Sequence, residues 1–140
     1  MIRELPDSYW HALQASLPPR REPTDPVLPV DLPRVGTLSG PFDYTLSDDL
    51  LDRLRQWLYE RGEKTVHYFL TEGVSGNDEP QNFAIDLWDL SHEALSEVNS
   101  GYQSLLTSPD LSWALFVDDE GRVHVAGPRD LVVCLNEAHT

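Results

Sequence analysis

The 140-residue chain has one cysteine, one methionine and one lysine. No apolar run approaches the roughly 20 residues that a membrane-spanning helix requires. The single Cys134 excludes an internal disulfide and a cysteine-based metal cluster. The first nine residues carry Arg3, Glu4 and Asp7 and lack the apolar core of a signal peptide. We therefore expect a cytoplasmic protein with no membrane partner.

Positive charge is also scarce. Ten Lys and Arg residues face 24 Asp and Glu residues, which gives a formal net charge of −14. We expect no nucleic-acid partner, because binding to phosphates depends on clustered Lys and Arg. The same charge attracts basic proteins and speeds encounter with them. It also keeps a protein soluble without any partner, so the charge alone leaves both interpretations open.

The composition of the chain changes near Gly36. Seven of the 11 prolines lie within residues 1–36, whereas residues 37–140 carry most of the excess acid. We predict that residues 1–36 form an N-terminal helix and a proline-rich arm packed on the body, and that residues 37–140 form an α+β domain. A flexible linker is the alternative interpretation of the arm.

The spacing of apolar residues predicts four helices and four strands. The helices are predicted over residues 5–19, 45–64, 91–109 and 128–138, and the strands within residues 64–73, 81–90 and 112–127. The strands come as adjacent pairs and do not alternate regularly with helices. We therefore expect an α+β fold, with an antiparallel sheet of about four strands and helices packed on one face, preceded by the N-terminal helix and the proline-rich arm.

Alternation along the predicted strands separates two faces of the sheet. One face is uniformly apolar and should pack against helices. The other, which we call the mixed face, collects aromatic and polar side chains: His67, Phe69, Asp86, Trp88, Phe116, Arg122 and His124. Two imidazoles and a carboxylate on one face could bind a divalent metal ion or act as an acid–base pair. No spacing fixes which strands are neighbours, so the pattern assigns neither a metal site nor catalytic residues.

Two other interpretations of the mixed face remain open. In the first, its aromatic side chains receive the proline-rich arm, and its His and Asp side chains find hydrogen bonds at the margins. In the second, the face forms a groove for a partner or an apolar ligand. The residues that would bind in such a groove are His67, Asp86, Trp88, Phe116 and His124.

The segment Gly127-Pro128-Arg129 joins a predicted strand to a predicted helix, where an anion could be held. Gly127 permits a turn, Pro128 starts a helix with its fixed φ, and Asp130 complements the positive end of the helix dipole. Because each residue has a structural role without a ligand, we interpret the segment as a corner of the fold.

The sequence contains no phosphate-binding loop, no nucleophile elbow and no His-Glu-x-x-His motif. We therefore expect a protein that works by binding, as an inhibitor, an immunity-like protein or a regulator of a basic partner, and not as an enzyme. Exposed acids would steer the encounter: Asp48, Asp49, Asp118, Asp119 and Glu120. Trp88 or Phe116 would anchor the partner.

The alternative is a small-molecule or metal binder, possibly enzymatic, that uses His67, Asp86 and His124. The sequence predicts no cofactor and assigns no metal ligands. A monomer and a homodimer are both compatible with it, since a proline-rich arm can pack on its own chain or exchange with a second copy.

Overall fold

The computed structural model describes residues 2–17, 28–29, 31–38, 46–70, 81–99, 103–118 and 122–139. The strands within these ranges are β1 (Ile2–Glu4), β2 (Arg34–Leu38), β3 (Thr65–Leu70), β4 (Gln81–Asp86), β5 (Ser104–Thr107), β6 (Ala114–Val117) and β7 (Val123–Ala126). The helices are α1 (Asp7–Gln14), α2 (Asp48–Glu60), α3 (His92–Val98) and α4 (Arg129–His139). A 3₁₀ segment, Leu87–Asp89, joins β4 to α3. No helix in these ranges has the length and apolar character needed to span a bilayer.

The strands form one antiparallel sheet in the order β1-β4-β3-β5-β6-β7-β2. The fold is therefore α+β, but the expected sheet of about four strands is wrong, because the part of the chain that the structure describes forms a sheet of seven strands. The strands predicted over 64–73, 81–90 and 112–127 are present as β3, β4, β6 and β7. Three others were missed.

The missed strand β5 occupies the centre of the sheet, between β3 and β6. The sequence predicted one helix over residues 91–109, but the helix ends at Val98 and residues Ser104–Thr107 form strand β5. Leu105 and Leu106 are buried in different apolar clusters, on opposite faces of the sheet. A strand buried on both faces has no alternation of apolar and polar residues, so periodicity does not separate it from a helix.

The missed strands β1 and β2 lie at the two edges of the sheet. β1 has only three residues and pairs with β4. β2 begins directly after Pro33, pairs with β7, and has a register shift between Arg34 and Gly36. The change in composition at Gly36 therefore falls inside a strand.

The first apolar cluster lies between the sheet and α2, α3 and α4. The predicted apolar stripe of α2 is buried as expected: Leu50, Leu51, Leu54, Trp57 and Leu58. The hydroxyl of Ser47 accepts a hydrogen bond from the amide of Leu50 and so caps this helix. Gly62 follows the end of the helix with φ of +73°, the left-handed conformation that favours glycine.

The second apolar cluster lies on the opposite face of the sheet. Phe69, Leu105 and Phe116 pack there with Leu13 of α1 and with Leu28. Helices therefore lie on both faces, with α1 on the mixed face and the other three on the apolar face.

Candidate functional site

The sheet does not bring His67, Asp86 and His124 together. His67 lies on β3 and His124 on β7, with β5 and β6 between them. At about 4.8 Å per strand, the two strands are about 14 Å apart, and His124 is level with Phe69, two residues beyond His67. Asp86 lies on β4 and pairs with Thr65, so it is offset from His67 along the strands. The residues described contain no group of three or more His, Cys, Asp or Glu side chains that could hold a metal ion.

His67 is buried beneath α1. The ring of Tyr9 lies edge-on to the imidazole, with centroids 5.3 Å apart and planes at 87°. Burial, and to a smaller extent the positive charge of Arg3, lowers the pKa of His67. A neutral imidazole packed against an aromatic ring explains this position without a ligand.

The buried side chains of Asp118 and His124 form a polar cluster with the partly exposed Arg122, where β6 ends and β7 begins. Asp118 Oδ2 lies 2.9 Å from His124 Nε2 and accepts a hydrogen bond of 3.0 Å from Arg122 Nε. The other oxygen of Asp118 accepts from the backbone amide of Arg122 at 3.0 Å. Because Asp118 is only 2% exposed, its carboxyl group is bonded inside the protein and does not present a steering group at the surface.

The other predicted binding residues lie in different surroundings. Phe116 is fully buried, with its ring centroid 5.9 Å from that of His124. A partner docking on the mixed face of the sheet would therefore not contact it. Asp48 and Asp49 are exposed in the first turn of α2. Asp119 and Glu120 lie outside the described residues.

Trp88 lies in the 3₁₀ segment and not on the strand predicted to contain it. Its side chain is 70% exposed, and it contacts the ring of Tyr59, which is 63% exposed. The ring centroids are 5.6 Å apart and the planes are at 57°. We call these two residues the aromatic pair. Sequence reasoning missed Tyr59, although its place on the polar side of α2 was a usable signal.

The aromatic pair continues a row of charged side chains along α2. Asp48, Asp52, Arg55 and Tyr59 follow one another at spacings of four, three and four residues, which places them on one side of a helix. Arg55 forms an ion pair with Asp52 within this row. Asp48 Oδ1 accepts a hydrogen bond of 2.9 Å from the backbone amide of His92, so the row runs beside the start of α3.

Hydrogen bonds fix the three elements that carry this surface. The amide of Leu87 donates to the carbonyl of Lys64 at 2.9 Å, which ties the 3₁₀ segment to the chain that follows α2. His92 Nδ1 lies 3.0 Å from the carbonyl oxygen of Leu46. Leu87, Leu90 and Leu95 are buried underneath. The aromatic pair therefore rests on a packed and hydrogen-bonded base.

The surface around the aromatic pair is acidic. Together α2, the 3₁₀ segment and α3 contain seven acidic residues and two arginines. The acids are Asp48, Asp49, Asp52, Glu60, Asp89, Glu93 and Glu97. We call the exposed side of these three elements the acidic platform.

A shallow cavity of 360 Å³ lies between α2 and α4, where Trp57, Arg61 and Asp130 meet. Trp57 Nε1 donates to Asp130 Oδ2 at 3.1 Å, and Arg61 forms an ion pair with the same carboxylate. The guanidinium carbon of Arg61 lies 3.6 Å from the centroid of the Trp57 ring. These three side chains bind one another, and the contact joins the two helices.

The segment Gly127-Pro128-Arg129 turns the chain from β7 into α4, and its contacts are those of a corner. Gly127 has φ of +128°, and its amide donates to the carbonyl of Pro33 at 2.9 Å. A Cβ atom on Gly127 would lie 3.0 Å from the Cβ of Trp113, so the close approach requires glycine. The first helical turn carries Asp130, whose contacts are with Trp57 and Arg61.

Comparison of the chain with protein-family models, curated protein sequences and solved structures found no match. The chemistry of its own side chains is therefore the basis for any proposal about its function.

Proposed function

We propose that this chain is a small acidic protein-binding module, acting in the cytoplasm, which docks a basic partner on the aromatic pair and the acidic platform. The exposure of Trp88 and Tyr59 carries this proposal. Trp and Tyr are the side chains most often found at the energetic centre of protein interfaces, where burial of their rings supplies much of the binding energy. Two such rings in contact at the surface offer an anchor that a partner can cover.

The charge of the surface supports a basic partner. The acidic platform carries seven acids against two arginines, within a chain of net charge −14. Opposite charge speeds association and excludes acidic competitors, while the aromatic pair supplies short-range contact. In this proposal Asp48 and Asp49 are among the steering acids, and their exposure on this platform is compatible with that role.

The rigidity of the platform also supports docking. Binding costs less when the contact residues already hold their bound geometry. The Asp48–His92 and Leu87–Lys64 hydrogen bonds fix the base of the aromatic pair before any partner arrives. Such a surface suits an inhibitor, an immunity-like protein or a regulator that binds as a preformed body.

The alternative of a metal or small-molecule binder draws no support from this geometry. It depended on His67, Asp86 and His124 acting together, and β5 and β6 separate His124 from the paired strands β3 and β4, which carry the other two residues. His67 is covered by Tyr9, and His124 is engaged with Asp118.

The test is affinity capture from extracts of cells that express the chain, with the wild type, the double variant Tyr59→Ala/Trp88→Ala and the control Val133→Ala. Val133 lies on α4 and is 57% exposed, so the control removes an exposed apolar side chain elsewhere. We expect a stoichiometric basic partner with the wild type and the control, lost from both at raised salt and absent with the double variant. Equal capture by the double variant would contradict the proposal.

A further inference from the structure

We infer that the aromatic pair receives an arginine side chain of the partner, with its guanidinium group stacked on the indole of Trp88. This inference rests on the proposed docking function and names the group that the site recognises. It follows from the ring geometry, from the charge around the rings and from a contact that this chain already makes internally.

The ring geometry leaves the indole of Trp88 open to a flat cation. The rings of Tyr59 and Trp88 are tilted at 57°, so they do not stack face to face. With 70% of Trp88 exposed, much of its surface is accessible to a partner. Guanidinium is planar and weakly hydrated, and it stacks on aromatic rings at a low cost of desolvation. The ammonium group of lysine is compact and strongly hydrated, so it gains less from contact with the same ring.

The charge of the platform favours a cation over an apolar side chain. Asp89 directly follows Trp88 in the chain, and Glu60 directly follows Tyr59; both are exposed. An apolar side chain inserted here would remove water from carboxylates and offer them no compensation. An arginine covers the rings with its guanidinium plane and brings positive charge to the acids.

The described residues already contain an arginine–indole contact at the C-terminal end of α2. Arg61 stacks over Trp57 with its guanidinium carbon 3.6 Å from the ring centroid, and Asp130 binds both side chains. An indole, a guanidinium and a carboxylate are therefore mutually compatible in this protein. At the aromatic pair, the indole and the acids come from this chain and the guanidinium comes from the partner.

The test compares two synthetic peptides of equal length and charge, one with four arginines alternating with glycine and one with four lysines in the same positions. Each peptide is titrated by calorimetry into the wild type, Trp88→Ala, Trp88→Phe and the control Val133→Ala. We expect the wild type and the control to bind the arginine peptide about two- to fivefold more tightly than the lysine peptide. Trp88→Ala should bind both peptides equally, and Trp88→Phe should show a smaller preference, because indole is the best ring for a cation.

Equal affinity of the wild type for the two peptides, or an arginine preference that persists in Trp88→Ala, would overturn the inference. These failures differ from failure of the proposed function. If the arginine preference is absent but the double variant Tyr59→Ala/Trp88→Ala loses its cellular partner, only the arginine inference is wrong. If the double variant retains the partner, the docking surface itself is wrong.

Discussion

Tyr59 and Trp88 contact one another at the surface, with ring centroids 5.6 Å apart, and each remains more than half exposed. They come from two elements, α2 and the 3₁₀ segment, which are held side by side by buried leucines below them. Core packing explains why these elements meet, but it does not explain aromatic side chains on their outer side. The proposed docking role would account for their exposure.

If Trp88 acts in binding, its removal should leave the fold intact. We expect Trp88→Ala to change the free energy of unfolding by less than about 0.5 kcal/mol, as is usual for exposed positions. Trp113→Ala should cost about 3–5 kcal/mol, since the loss of a buried Trp leaves a large cavity. Trp113 is 1% exposed and donates its indole N–H to Glu63. Urea denaturation of the two variants checks this contrast, and a Trp88→Ala variant as unstable as Trp113→Ala would contradict it.

The buried carboxylate of Asp118 should be essential to the fold. Asp118→Ala leaves Arg122 and His124 without their common acceptor, and we expect a loss of about 3–5 kcal/mol in the free energy of unfolding. The control is Asp52→Ala, which removes an exposed acid paired with Arg55 and should cost no more than about 0.5 kcal/mol. Chemical denaturation measures both. Similar losses in the two variants would show that Asp118 is not a structural acid.

His67 should make the protein less stable in mild acid. Burial lowers the pKa of His67, so the unfolded chain binds a proton there more readily than the folded protein. The contribution of His67 to stability should stay constant above about pH 6.5, the ordinary pKa of histidine, and should fall as the pH drops from there to the lowered native pKa. We expect His67→Gln to remove the part of the fall in unfolding free energy at low pH that is due to His67.

The measurement is the free energy of unfolding of wild type and His67→Gln across that pH range, with His11→Gln on the exposed side of α1 as the matched control. Parallel stability curves for wild type and His67→Gln would refute the assignment.

The corner at Gly127 should tolerate substitution less well than the end of α2. Gly127→Ala places a Cβ 3.1 Å from the carbonyl oxygen of Ser112, at φ of +128°, and we expect a cost of about 3 kcal/mol. Gly62→Ala should cost only about 1 kcal/mol, because nothing lies within 4 Å of the new atom and only the left-handed backbone opposes it. Thermal unfolding measures the stability of the Gly127→Ala and Gly62→Ala variants. A larger loss in Gly62→Ala would disprove this explanation of the corner.

The sequence predicted those parts of the fold that local patterns determine. The apolar stripe and the Ser47 cap located α2, and alternation placed His67, Phe116 and His124 on one face of the sheet. It did not reveal β5, because a central strand with both faces buried lacks alternation. The sequence did not predict β2, because prolines come immediately before it and its hydrogen bonds are made with β7, which is distant in the sequence.

The sequence predicts only part of the candidate site. The sequence predicts an anchor role for Trp88, which stays a prediction, and it places Trp88 on a strand, since the alternation continues that of β4. Its contact with Tyr59 depends on how α2 packs beside the 3₁₀ segment, which no local pattern specifies. The separation of His67 from His124 likewise depends on strand order, which places β5 and β6 between them.

The proposed function requires that a basic partner dock on Tyr59 and Trp88. The most direct measurement is the dissociation constant of the captured partner for the wild type, for Tyr59→Ala/Trp88→Ala and for Val133→Ala, each at low and at raised salt. Loss of the aromatic anchor should weaken binding at least about 30-fold, which corresponds to about 2 kcal/mol, while the control stays near the wild type. Raised salt should weaken binding further in all three proteins. An unchanged dissociation constant for the double variant would contradict the account.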